Sequence, residues 1–464
     1  MSNRRLTVAA TFVGTLFLTF SLTYLLLQDE RMAMAGGVGV VGLTVMFVEP
    51  FVGLVNYLLF IYLRPQDYVR ALMGMPLMLM IGAATCFMVV LHMAVLQRTI
   101  TLARSPNNLL VLWFGAAIVV SQLATLVPVG VMSAVTDFVP TLILYLLVAN
   151  LVTSERRLKF VISLLVVLTM TLAVQGVVQI HTGQGLGGQD TYDGRIRAIG
   201  IFSDPNDLAL ALVMVQPFLL LKLLEPAKPA EKLLAMIGMA VLTYGLFLTQ
   251  SRGGLIAFGL LMMIALSRRL GRAIGLSIGG FMMLIIVVLS PRMANISAEE
   301  GSTYGRIEAW TTGFDLFQQY PLFGVGFGNY TEHHFRTAHN SLVLCAAELG
   351  VFGLLAWVML IYMSIKNLGF IARELKASGR RESALYVESV RYGFFSFMVA
   401  AYFLSRTYNE LLFIFLGLTT AITHMFVRGS SERYVLMDRR DFVYGIAATI
   451  GAMLLTKFFL ITAW

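Results

Sequence analysis

His339 and Asn340 stand where a polar stretch gives way to an apolar run of about two dozen residues. An imidazole there can accept a proton from a hydroxyl near neutral pH, because its reference pKa is about 6.5. Nine residues later comes Gly350-x-x-Gly353. The polar stretch, which with this motif spans 291–353, is the one long polar segment in an otherwise apolar chain. An unpaired ionisable group at a membrane boundary is costly, so its presence asks for a reason. Taken alone, such a histidine reads as a buried ring bonded to a backbone carbonyl. The case for chemistry rests on its company.

Arginines supply that company. In Arg195-Ile-Arg197-Ala-Ile-Gly-Ile-Phe-Ser-Asp204-Pro205-Asn206-Asp207, either Asp204 or Asn206 is placed to cap a helix beginning near Pro205. A helix start offers backbone N–H groups and a positive dipole end to an anion, although the segment reads equally as a capped loop with solvated arginines. Gln250-Ser251-Arg252-Gly253-Gly254 joins two apolar runs with almost no loop. Arg252 is thereby held at the lipid–water boundary, where snorkelling to headgroup phosphates is the bland alternative. Its glycines would let a substrate approach the backbone, which tilts the reading towards function. From Arg306 onward, Ile307, Trp310, Phe314 and Phe317 recur at helical spacing, while Glu308, Thr312 and Asp315 face elsewhere. This predicts an amphipathic helix on the outer interface, its aromatic stripe used for packing. A glycine-rich turn, 321–330, then leads to His333, His334, Arg336 and His339. These histidines lack metal-ligand spacing, the glycines lack a strand–helix unit for a dinucleotide, and no serine-nucleophile arrangement is present. No metal and no cofactor is expected.

The elements that must position these residues follow from composition. Of 464 residues, 58% are hydrophobic and 13% charged, well below the roughly one quarter charged of soluble domains. Thirteen apolar runs, many 17–25 residues long, exclude a β-barrel and predict an all-α, polytopic transmembrane bundle of about 12–15 membrane segments. Runs 35–63 and 393–427 are too long for one span and contain Glu49-Pro50 and Arg406 to Glu410, so each should be a broken helix or hairpin. Run 6–27 reads as a retained first helix and not a cleaved leader. The basic loops at 155–159, 268–272, 366–391 and 428–440 read as cytoplasmic. That leaves 181–203, 250–252 and 291–340 on the outer face, within one membrane domain over 1–464. The net charge of +9 sits in short loops and implies no nucleic acid, and Cys86 and Cys345 imply no disulfide framework.

The ordered set (Arg-x-x-Gly-x-Phe-x-Asp-Pro-Asn, Ser-Arg-Gly-Gly, a large outer loop, then His339-Asn340-x9-Gly350-x-x-Gly353) resembles the O-antigen ligase and O-antigen polymerase superfamily over roughly residues 190–365. The resemblance implies a membrane-embedded glycosyltransferase of the bacterial inner membrane, with its active site on the periplasmic side. Its donor would be an undecaprenyl pyrophosphate-linked glycan and its acceptor, in a ligase, the lipid A–core oligosaccharide, both presented from membrane lipid. With no evident metal, the pyrophosphate would fall to arginines, whose planar fork suits phosphate oxygens. Arg197, Arg252 and Arg306 are the first candidates, with Arg336 and Arg195 behind them. His339 would be the general base, Asn340 its positioner, and inline displacement would invert the anomeric centre. Gly350 and Gly353 would share a helix face and allow close helix packing. A polymerase or protein O-oligosaccharyltransferase would share this donor chemistry. A transporter of the lipid-linked glycan would instead line a mid-membrane path with its polar residues.

Overall fold

In the computed structural model of the chain, residues 41–99, 101–126, 128–185, 187–226, 228–289, 301–427 and 435–463 are described. The expected first helix at 6–27 and the start of the outer loop, 291–300, lie outside them, as does 428–434. Among the described residues there are no strands, only two isolated bridges, Gln184 with Asp190 and Tyr192 with Arg195. The protein is all-α. Its helices are α1 (Pro50–Leu63), α2 (Leu77–His92), α3 (Pro106–Ala124), α4 (Pro128–Leu151), α5 (Glu155–Thr182), α6 (Pro205–Leu224), α7 (Pro229–Leu248) and α8 (Arg252–Leu270). They continue as α9 (Arg272–Leu289), α10 (Gly301–Gln319), the single turn α11 (Tyr330–His333), α12 (Ser341–Ala377), α13 (Arg381–Ala401), α14 (Glu410–Phe426) and α15 (Arg439–Ala463).

Eight helices among the described residues are long and apolar enough to cross a membrane. The chain is a multi-pass membrane protein. The two interrupted runs are broken helices, as expected. Residues 41–48 are helical, Glu49 leaves the helical region at φ −134°, and its carboxylate accepts from the Phe51 N–H to start α1 at Pro50. The second run divides into α13 and α14, with 402–409 crossing between them without helix.

At the centre α6 is buried along nearly its whole length, against α5, α7, α8 and α13. The long α12 packs on α3, α13 and α15. At one end of the bundle, Glu155 accepts from Arg380 and Ser383, and Lys159 pairs with Glu382 at 2.7 Å, drawing two of the basic loops together. The segments at 192–206, 250–252, 306–339 and 404–407 gather at the opposite ends of the helices they flank.

Candidate functional site

Three helices start at this second gathering, each with a side-chain cap that its sequence dictates. Asp204 caps α6, its Oδ1 accepting from the Asn206 N–H at 2.7 Å, with Pro205 as first helical residue. Ser251 caps α8 by accepting from the Gly254 N–H at 3.3 Å. Asn340 caps α12, its Oδ1 accepting from Leu342 N–H at 2.9 Å and Val343 N–H at 3.2 Å. The starts of α6 and α8, with His339 two residues before α12, border one region.

That region is a cavity of about 490 Å³. Arg252, Arg306, Arg336 and His339 line it from one side of the sequence order, and Tyr192, Asp193, Arg195, Asp204, Asn206 and Gln250 complete it. Of the five arginines expected to serve a clamp, four reach the cavity. Arg197 does not. Its Nε donates to the Asp190 carbonyl at 2.9 Å and its guanidinium lies 5.9 Å over the Tyr192 ring, so it is spent within its own loop. Arg195, two residues earlier, is buried and anchored, donating to Thr249 O at 2.7 Å and Asn206 Oδ1 at 3.0 Å.

His339 is held in a left-handed backbone conformation, φ 49°, uncommon for a residue with a side chain. Three contacts over-determine it. Its N–H donates to Ser405 Oγ at 2.7 Å, and the next residue, Asn340, is fixed as the helix cap. Ser341 Oγ donates to Leu404 O at 2.6 Å while accepting from the Arg406 N–H at 2.8 Å. Asn340 caps the helix next to His339 in sequence and does not line the cavity itself. Burial, followed by the charges of Arg306, Arg336 and Arg406, pulls the imidazole from 6.5 down to about 4, against the opposing pull of Asp204. The ring is neutral at pH 7.

Arg406 was not anticipated as a site residue. Its guanidinium grips the Asp207 carboxylate with two hydrogen bonds, tying 404–407 to the first turn of α6. The Asp207 side chain is 5% exposed and that of Arg406 34%. The pair connects the segment that holds His339 to the helix that carries Asp204 and Asn206. Glu348 was missed as well: buried in α12, it accepts from Tyr408 Oη at 2.8 Å and from the Tyr330 N–H at 3.3 Å.

The glycines act differently from expectation. Gly350 does not share a helix face with Gly353, because it breaks α12 at φ 62°, ψ −163°. The glycine-rich turn lies in the break, with Val325 N–H donating to Ala347 O at 2.9 Å and Val351 N–H to Pro321 O at 2.8 Å. A Cβ on Gly350 would stand 2.3 Å from the Leu322 carbonyl carbon, so the close approach is of loop backbone and not of another helix. Likewise a Cβ on Gly253 or Gly254 would meet the Phe403 or Ala209 side chain, at 2.9 and 2.8 Å, so both glycines serve close internal packing. The aromatic stripe on α10 packs inward as expected, Trp310 and Phe314 being buried in a cluster with Tyr330, Val343 and Leu460.

Residues 237–358 match the family model described as O-antigen ligase. Over that segment the chain is similar to the O-antigen ligase and polymerase superfamily, in agreement with the resemblance of its motifs. No curated protein matches it. The family segment runs from within α7 into α12 and contains Arg252, Arg306, Arg336, His339, Asn340, Gly350 and Gly353. The other cavity wall, 192–206, and the Arg406 segment lie outside it. The matched segment supports O-antigen-ligase-type function at a coarse level. Among the described residues no three His, Cys, Asp or Glu side chains gather as a metal site would require.

Proposed function

We propose that the protein is an O-antigen ligase. It transfers a glycan from undecaprenyl pyrophosphate to the lipid A–core oligosaccharide at the periplasmic face of the bacterial inner membrane. The observation that carries this reading is the meeting of Arg252, Arg306 and Arg336 with a neutral His339 in one cavity at the helix ends. A pyrophosphate leaving group brings at least two negative charges. Guanidinium forks, with the N-termini of α6 and α8 beside them, offset these charges without a metal. In the reaction the acceptor hydroxyl oxygen bonds to the anomeric carbon as the C–O bond to pyrophosphate breaks. The bonding pair leaves on the pyrophosphate, which the arginines hold, and the hydroxyl proton passes to the His339 ring. One inline displacement inverts the anomeric configuration.

A ring with a pKa of about 4 is always available to accept a proton, but its proton affinity is weak. The donor corrects this. Its phosphates neutralise Arg306 and Arg336, two of the charges that disfavour the imidazolium, so the base strengthens when the substrate is in place. Arg195, anchored by Thr249 and Asn206, shapes the wall and adds positive charge.

Polymerase and protein O-oligosaccharyltransferase readings differ only in acceptor. A transporter would need a polar path at mid-membrane, whereas the distinctive residues here collect at helix ends. Purified protein in detergent, with chelator present and no compartments to cross, should transfer glycan from the carrier to lipid A–core. Turnover only with a carrier-linked acceptor would make it a polymerase, and no turnover with any acceptor would refute the enzyme reading.

A further inference from the structure

The cavity lining is chemically mixed, and the pyrophosphate accounts for its arginines. It does not account for Tyr192 and Asp193, since a carboxylate would repel phosphate and an aromatic ring would do nothing for it. They occupy a two-residue hairpin turn. Tyr192 N–H donates to Arg195 O at 2.9 Å and Arg195 N–H to Tyr192 O at 3.1 Å. Asp193 and Gly194 take φ values of 53° and 68°, the left-handed pair such a turn requires, which Asp-Gly satisfies well. The turn is rigidly mounted. Buried Arg195 pins its far end to Thr249 and Asn206, and Gln179 Nε2 donates to Gln189 O at 3.0 Å at its near end.

On this mount Tyr192 is 55% exposed, a large aromatic held out at the rim of a polar cavity. The Arg197 guanidinium backs its ring at 5.9 Å, and no other ring or cation contacts it among the described residues. Beside it Asp193 is exposed and can accept from two hydroxyls. A flat apolar face next to a carboxylate complements a pyranose, which has one face of C–H bonds and an edge of hydroxyl donors.

We infer that the Tyr192–Asp193 turn is a saccharide subsite, stacking a sugar ring on Tyr192 and accepting its hydroxyls at Asp193, in the same cavity as the arginines. Arg197, displaced from the clamp, becomes a positioning residue for the Tyr192 ring. The inference rests on the glycosyltransfer reading. The two fail separately, because it concerns sugar and the clamp concerns phosphate.

The test uses full-length protein in detergent micelles, with Tyr192→Ala, Tyr192→Phe and Asp193→Asn. Transfer kinetics are measured while the carrier-linked glycan and the lipid A–core acceptor are varied in turn, beside binding of sugar-free undecaprenyl pyrophosphate. Expected is a rise in KM of about tenfold for a saccharide-bearing substrate in Tyr192→Ala and Asp193→Asn, the loss of roughly one good contact. The substrate whose KM rises identifies whose sugar is bound. Tyr192→Phe, which keeps the stacking face, stays near the unmodified protein, and affinity for the sugar-free carrier stays within about twofold. Unchanged KM values, a fall in kcat alone, or a parallel loss of sugar-free carrier binding would overturn the subsite. Failure of the unmodified protein to bind the sugar-free carrier would count against the clamp, with the KM comparison still deciding the sugar.

Discussion

The acid limb of the pH–rate profile should lie far below that of an ordinary histidine. His339 must be neutral to act as base, and its pKa in the folded protein is about 4, against 6.5 for a free side chain. In kcat/KM, which reports the free enzyme, activity should therefore persist through pH 6 and 5 and fall only near 4. In kcat the limb should lie higher, since bound pyrophosphate offsets Arg306 and Arg336. Arg306→Gln should also raise the kcat/KM limb, but only part of the way to 6.5, because burial is the larger cause and remains. The same shift has a stability consequence. The unfolded chain binds a proton at this position between pH 6.5 and 4 where the folded chain does not, so stability is full above 6.5 and declines as pH falls through that window. The total loss is about 3 kcal/mol. Purified protein and His339→Gln, compared by pH-dependent thermal unfolding and glycan transfer, test both claims, since the glutamine variant removes this ring's share of the acid sensitivity. A kcat/KM limb at 6 to 7, or equal acid sensitivity of the two unfolding curves, would refute the reasoning.

Breaking the Asp207–Arg406 pair with Arg406→Ala should cost about 3 kcal/mol, because a buried carboxylate is left without its partner. Removing both should cost less than the sum, as a double-mutant cycle in detergent would show. Gly350→Ala should lower stability by about 3 kcal/mol or more, since the new Cβ meets loop backbone at 2.3 Å and the left-handed φ adds strain; wild-type melting would contradict the interlock. Asn340→Ala should cost about 1 kcal/mol as a lost cap and reduce transfer further than Asn340→Asp, which can still cap. Equal activity of the two variants would deny it a positioning role.

Much of this architecture was legible because membrane helices announce themselves by length and their ends by capping residues. Asp204-Pro205, Ser251 and Asn340 each mark a helix start in the sequence, and Glu49-Pro50 marks a break. The convergence of Arg252, Arg306, Arg336 and His339 followed from placing loops 250–252 and 291–340 on one face. What escaped was tertiary. Arg195 and Arg197 look interchangeable two positions apart, and only the carbonyls of Thr249 and Asp190 separate the one in the cavity from the one turned away. Asp207 and Arg406 are 199 positions apart, and neither has a local cue naming the other. Gly-x-x-Gly has the period of a packing face, so a backbone break at Gly350 is invisible until the loop that fills it is seen.

The account is tested most directly by measuring binding and transfer separately in His339→Gln. A phosphate clamp beside a base predicts that this variant binds undecaprenyl pyrophosphate about as well as the unmodified protein yet transfers no glycan to any acceptor. Transfer at an undiminished rate would contradict it.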